Sequence, residues 1–204
     1  MSFFSGTSKI VNTSTIPAVV SKEDAVALLH DHDFFLHCDP HYAGHKRVPP
    51  PASLAPQNDV DAARKHYKLP ANLTPLLHEK GEKGGEVVVV KVYEVTDHMP
   101  NPVWNSNVVS TEEFVDTAEG MWCRIRSPMG VVMETFWVIR PKQGTAGELE
   151  LVEDVSISAS RLVLGIVKGQ VENNWRAIHK QFVDKLVADA EEARSASASA
   201  SGGK

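Results

Sequence analysis

The chain has no excess of basic charge. Lys and Arg number 21 against 26 Asp and Glu, a net charge of −5. Proteins that grip nucleic acid concentrate cations to neutralise phosphates, so nucleic acid is not expected as a partner. Long apolar runs are missing too. Val87–Val90 is unbroken but short, and Gly165 interrupts Leu162–Val167. A membrane-spanning helix needs roughly 20 apolar residues, so membrane insertion is not expected. Cysteine is scarce: Cys38 and Cys123 are the two present. Two thiols in a chain without a visible secretory leader read as reduced, and the cytoplasm is the expected compartment. The sequences beginning at Asn12 and Asn72 match the glycosylation pattern but carry little weight without a leader. No long internal repeat is present. What is there is ordinary globular material. With 204 residues, 42% hydrophobic and 23% charged, the composition suits one domain with tails and argues against wholesale disorder.

Lys9–Pro17 mixes Ile, Val and Thr and reads as a first strand ended by Pro17. Ser21 followed by Asp24 is close to a capping box and predicts a helix over Lys22–His30. His30–Pro56 holds five His and three consecutive Pro. Three Pro in a row fit neither a helix nor a central strand, so this stretch reads as a long ordered loop with room for one helical turn. Asp59–Tyr67 reads as a second short helix, and Lys80–Gly85 as a polar turn. Strands follow at Val87–Val95, Asn107–Val115, Met121–Ser127, Val131–Arg140 and Leu149–Ser158, an antiparallel meander punctuated by Pro and Gly.

From Leu162 to Ala193 the pattern turns helical. Leu164, Val167, Val171, Trp175, Ile178, Phe182 and Leu186 recur at three- and four-residue steps and form one apolar stripe. Gly165 and Gly169, a turn apart, predict either a close packing partner or a helix that starts after Gly169. The Ser/Ala-rich tail has no large apolar group to bury and reads as disordered. The predicted domain is therefore 9–193, with tails at 1–8 and 194–204. A curved sheet with one apolar face needs a cover, and one long helix with a single stripe supplies it. The fold class is α+β, a helix-grip with space between sheet and helix.

Four stretches carry a family resemblance: His32–His41 (HDFFLHCDPH), Trp104–Thr111 (WNSNVVST), Arg124–Met129 with Met133–Thr135, and Leu151–Val155 leading into Ser160, Arg161 and the helix around Trp175. On these the chain resembles an uncharacterised fungal family of START-like proteins. That family lies in the broad superfamily with lipid-transfer, pollen-allergen-type and polyketide-cyclase-type domains. The family tends to an acidic residue where this chain has Asn105, and often to Ser where it has Gly130. The resemblance implies a hydrophobic-ligand cavity; some superfamily members cyclise, dehydrate or hydrolyse what they bind. It assigns no catalytic residue.

Several constellations have both a chemical and a structural reading. His37, His41 and His45 are four apart, with Cys38 and Asp39 beside them. Pro40 breaks the helix that would align them and no His-Glu-x-x-His motif exists, so loop ordering is expected and no metal or cofactor. Cys38 beside a His suggests a nucleophile with a base, but among Phe34, Phe35 and Leu36 it reads as a small buried hydrophobe. Arg124 and Arg126 lie opposite the row of Glu134. That reads as a cross-strand ion pair on the outer face, or as an inward Arg holding a ligand carboxylate. Glu153 falls in the apolar row of its strand. It is the leading general acid or base, with His37 and His41 the other catalytic candidates, or else it bridges to Arg161 or Arg124. His179 reads as a partly buried residue at the edge of the helical stripe.

Met133, Thr135 and Trp137 on one strand, and Trp175, Ile178 and Phe182 on the helix, face one interior space. They are the expected ligand wall, suited to a sterol, acyl chain or polyketide. The other two tryptophans, Trp104 and Trp122, read as core or cavity wall. Three functions stay open: a binder of a hydrophobic small molecule, a cyclase, dehydratase or isomerase on the same scaffold, and an adaptor using the outer sheet face. Oligomeric state is not legible.

Overall fold

The computed structural model describes residues 5–71, 73–79, 85–99 and 106–201. The expected contributions of Trp104 and Asn105, and nearly all of the turn at 80–85, lie outside them. Strand β1 (Ser5–Ile16) leads into helix α1 (Lys22–His30), α2 (His32–His37) and strand β2 (Tyr42–Val48). Helix α3 (Val60–Tyr67) and the short strands β3 (His78–Glu79) and β4 (Glu86–Val87) follow. The meander is β5 (Lys91–Met99), β6 (Ser106–Thr117), β7 (Gly120–Ser127), β8 (Val131–Pro141) and β9 (Leu149–Ser160), and α4 (Arg161–Ser201) closes the chain. Among the described residues the main sheet has seven strands in the order β1-β9-β8-β7-β6-β5-β2, antiparallel throughout.

Local chemistry explains the boundaries. The Ser21 hydroxyl accepts from the Asp24 amide and caps α1 as expected. Asp31 does the same for α2, and Asp59 for α3. The β7–β8 hairpin turns through Met129 at φ 60° and Gly130 at φ 71°. A residue with a Cβ is strained in this left-handed region, and glycine is not. At Gly120 a Cβ would sit 2.0 Å from the Trp137 carbonyl oxygen, so the β6–β7 turn has room only for glycine.

The expected loop at His30–Pro56 is corrected: it contains α2 and the edge strand β2. The segment Tyr42–Val48 is polar, and its stability comes from backbone pairing with β5 rather than from a buried face. A search for apolar alternation passes over such a strand. The expected strand Val87–Val95 is two strands. Val88 bridges Gln57 between them, and a run of valines has no alternation to mark the break. Strand β1 begins at Ser5, within the predicted tail.

Helix α4 starts at Arg161, so it does not wait for Gly169, and the two glycines face open space. It continues to Ser201, past its expected end at Ala193. Ala and Ser do not break a helix, and Ser195 and Ser197 hydroxyls donate to carbonyls one turn back. No helix among the described residues is long and apolar enough to cross a membrane.

Both faces of the sheet carry packed elements. On the concave side Met121, Trp137, Ile139 and Leu151 pack with Leu29 of α1, Leu36 of α2, and Phe182 and Leu186 of α4. This is the predicted helix-grip, with Phe182 docked in the same cluster as Trp137. On the convex side Val115, Trp122 and Phe136 pack beneath Leu54, Ala63, Tyr67 and Leu73. Phe182→Ala is expected to cost about 3–5 kcal/mol in chemical unfolding. Leu162→Ala, at an exposed position, is expected to stay within about 0.5 kcal/mol.

Candidate functional site

Strand alternation and register decide which side chains meet on the concave face. Val155, Thr135, Cys123 and Phe114 form one cross-strand row, and Ile157, Met133, Ile125, Glu112 and Tyr93 form the next. Trp137, Met121 and Asp116 lie on the other side of the first row. The face has two unlike halves. Around Trp137 it is filled by α1, α2 and the second half of α4. In the row beyond, Met133 and Ile125 are only half-buried, although Ile157, Glu112 and Tyr93 beside them are buried.

The helix above divides in the same way. His179, Phe182 and Leu186 are buried, while no residue from Arg161 to Ile178 is. Leu162 and Ile166 are 89% and 63% exposed. Trp175 is half-buried and meets the ring of His179 edge-on, and Trp137 also lies against that imidazole. Of the six expected wall residues, Trp137 and Phe182 therefore share one cluster, Trp175 adjoins it through His179, and Thr135 is buried in the neighbouring row. Ile178 packs partly against the same core, and Met133 lies in the open half.

The unexpected group is Glu112. It is 6% exposed, and its neighbours are weak: the Ser110 hydroxyl donates at 3.3 Å and the Cys123 thiol lies 4.0 Å away. Burial, reinforced by Asp97, pushes its carboxyl up to about 8. Asp97, on the same face of β5, is pushed up to about 6 by burial and by Asp39. The Cys123 thiol is raised well above its ordinary value by burial and the nearby Glu112. At neutral pH Glu112 is therefore a buried carboxylic acid with a proton to donate, beside the half-buried apolar rows.

Glu153 is also on this face, but it is tied. Asn12 Nδ2 donates to it at 2.7 Å, and His179 Nε2 approaches the same oxygen at 3.5 Å. His179 Nδ1 is 2.8 Å from the Ser14 hydroxyl. The partners are thus Asn12 and His179, not Arg161 or Arg124, because alternation sends Arg124 to the opposite face. His179 itself is fully buried rather than marginal. This cluster fastens α4 across β1 and β9.

Asp116 organises a second cluster, where His32 Nε2 and Lys91 Nζ each donate at 2.8 Å and His78 lies at 3.3 Å. Burial alone would raise Asp116, but the His32 and Lys91 hydrogen bonds outweigh it and hold the carboxyl well below the usual range. Burial lowers His32, which stacks on Phe114.

The other sequence candidates fall elsewhere. His37 is exposed on α2, where its Nδ1–H donates to the Asp33 carbonyl. His41 occupies the turn before β2, its amide held by the Asp39 carboxylate and its carbonyl by the His98 amide. Cys38 is fully buried, and burial raises its thiol to about 12, so it is not a ready nucleophile. Arg124 lies on the convex side under α3. It pairs with Glu113 and Glu134 and donates to the Tyr67 carbonyl, which is the outer-face reading. Sequence reasoning missed Glu112. A signal existed, since Ser110, Glu112, Phe114 and Asp116 alternate along one strand, but nothing local distinguishes Glu112 from Glu113.

A family profile described as Domain of unknown function (DUF7053) matches residues 5–188. No curated protein matches the chain. Among solved structures, TTHA0849 from Thermus thermophilus is similar in fold at 12% identity and TM-score 0.51, over 89% of this chain and 99% of that one. The di-domain ARO/CYC StfQ from the steffimycin biosynthetic pathway is 11% identical with TM-score 0.54, over 93% of this chain and 52% of that one. The Zhui aromatase/cyclase from Streptomyces sp. R1128 is 10% identical with TM-score 0.52, over 89% and 94%. At these identities the likeness is one of fold.

The protonation of Glu112 has a measurable consequence. The folded chain keeps this proton up to about pH 8, whereas an unperturbed Glu loses it near 4.5. The folded state thus binds more protons in that window, and the contribution of Glu112 to stability falls as pH rises through it. Glu112→Gln is expected to become more stable relative to wild type by more than about 1 kcal/mol between pH 4.5 and 8, in urea unfolding at several pH values. His32 acts in the opposite sense. Its lowered value means that stability is lost as pH falls below the ordinary histidine value of 6.5.

Proposed function

The chain belongs to the DUF7053 family, and from that premise we propose that it binds a hydrophobic small molecule between the concave sheet face and the first half of α4. A lipid, a sterol or a polyketide-like compound has the required character. The observation that carries this reading is the incomplete burial of one half of the grip. Seven apolar or aromatic residues of α4, from Leu162 to Trp175, are without full burial, and on the concave face Met133 and Ile125 are only half-buried. Apolar surface of this extent, left only partly covered, favours an occupant, each buried methylene contributing about 0.8 kcal/mol. Thr135 and Glu112 supply the few polar groups that orient such a ligand. Trp137 and Phe182, locked in the core, form a rigid floor.

A second reading, an enzyme of the cyclase, dehydratase or isomerase type, rests on Glu112. A buried acid kept neutral at pH 7 donates to a carbonyl oxygen as that oxygen gains charge during enolisation or aldol closure. The fold shared with two aromatase/cyclases is compatible with it. Glu153, His37 and His41 are not the acid in this reading. The adaptor reading has less support, because α3 and its neighbours cover the middle of the convex face.

Native mass spectrometry of the purified protein is expected to show a co-purified apolar compound, or saturable uptake of added long-chain fatty acid. Met133→Trp, which fills the open half, is expected to weaken uptake at least tenfold with the fold intact by circular dichroism. Unchanged uptake in that variant would place the ligand elsewhere. If a turnover assay is found, Glu112→Gln is expected to lower the rate by about 100-fold or more, and an unaltered rate would exclude the acid role.

A further inference from the structure

The turn at Pro40 reverses the chain, so that β2 lies back along α2. One consequence is a cluster outside the proposed ligand site. Asp33 and His37 are one turn apart on α2, and His45 comes to them from β2. One ligand atom from each lies within 4.8 Å of the others. The His45 Nε2 to Asp33 Oδ1 distance is 3.3 Å. Two donors held at a tetrahedral angle on bonds of about 2.0 Å lie about 3.3 Å apart, so this pair already has the spacing a zinc ion requires.

The remaining ring nitrogens are also arranged for ligation. His37 Nδ1 is 2.6 Å from the Asp33 carbonyl oxygen and 4.0 Å from the Asp33 carboxylate, so a proton held on Nδ1 leaves Nε2 to ligate after a side-chain rotation that its exposure allows. His45 Nδ1 is 2.8 Å from the Tyr42 hydroxyl. A hydroxyl both donates and accepts, so Tyr42 can accept from Nδ1–H when Nε2 gives its lone pair to a metal. A second hydrogen bond on the far nitrogen is the usual support for a metal-binding imidazole. Asp33 and His37 side chains are 75% and 51% exposed, which gives an ion access and leaves them free to close in.

We propose that Asp33, His37 and His45 form a three-ligand site for a divalent transition metal of the zinc class, with Tyr42 orienting His45 and a remaining coordination position open to water. Two imidazoles and one carboxylate suit zinc, and equally cobalt as its probe, better than calcium or magnesium, which take oxygen ligands. His41, the third histidine of the sequence spacing, is not part of it. The site joins α2 to the sheet edge, so occupancy also braces that edge. It does not depend on the ligand reading above.

The test is isothermal titration of the full chain, stripped with chelator, with zinc chloride, and visible spectroscopy with cobalt. Wild type is expected to take up one equivalent at micromolar affinity and to give the intense visible bands of four-coordinate cobalt. Asp33→Asn combined with His37→Asn, both at exposed positions, is expected to lose at least 100-fold in affinity, and Tyr42→Phe about 10-fold. His98→Asn, at an exposed histidine elsewhere, is expected to bind as wild type does. Absence of saturable binding up to about 1 mM zinc, a level too weak to be specific, would overturn the proposal. So would equal affinity in the Asp33/His37 double variant, which would assign the zinc to other histidines.

Discussion

The docking of the second half of α4 onto the sheet is the constraint on which the rest depends. Phe182 and Leu186 sit in the core with Trp137 and Leu151. His179 reaches Ser14 on β1 and Glu153 on β9. These contacts span two edge-side strands and fasten the middle of the helix. The first half of α4 is only partly buried, with Leu164 against Gly6 of β1. That is how one helix both completes a hydrophobic core and leaves apolar surface uncovered over the same sheet.

The concave face carries more charge than a core tolerates without arrangement, and the two carboxylates on β6 show two ways of meeting that cost. Asp116 is buried but receives hydrogen bonds from His32 and Lys91, and it stays ionised. Glu112, farther along the same face, is equally buried with one weak hydroxyl donor, and it keeps its proton. Burying an unpaired ion is so costly that the group changes charge state instead. The two outcomes separate a structural carboxylate from a chemically available one. Glu153 is a structural group, since Asn12 donates to it and His179 lies against it.

The convex side follows the same rule in a larger network. Arg124 lies between Glu113 and Glu134, over the Trp122 ring, and donates to the carbonyl of Tyr67 at the end of α3. Each of these three charges has a partner, and α3 with its flanking chain seals the patch. The grip is thus covered over the middle of its convex face and less fully packed on its concave one.

Much of this was legible without coordinates. The α4 stripe, the β6–β9 meander and the Ser21 cap are short-range patterns, set by side-chain periodicity and by hydrogen bonds a few residues apart. From them the helix-grip and the inward row of Met133, Thr135 and Trp137 follow. The edge strand β2 was not legible, because pairing with β5 rather than apolar alternation stabilises it. Nor were the chemical identities of the polar groups. Glu112 and Glu113 are adjacent and alike in sequence, yet one is desolvated beside Ser110 and Cys123 while its neighbour pairs with two arginines. Asp33, His37 and His45 meet only because the chain turns at Pro40 and β2 comes back beside α2. Burial and charge pairing are set by residues distant in sequence, so only the tertiary structure decided which carboxyl keeps its proton and which histidines converge.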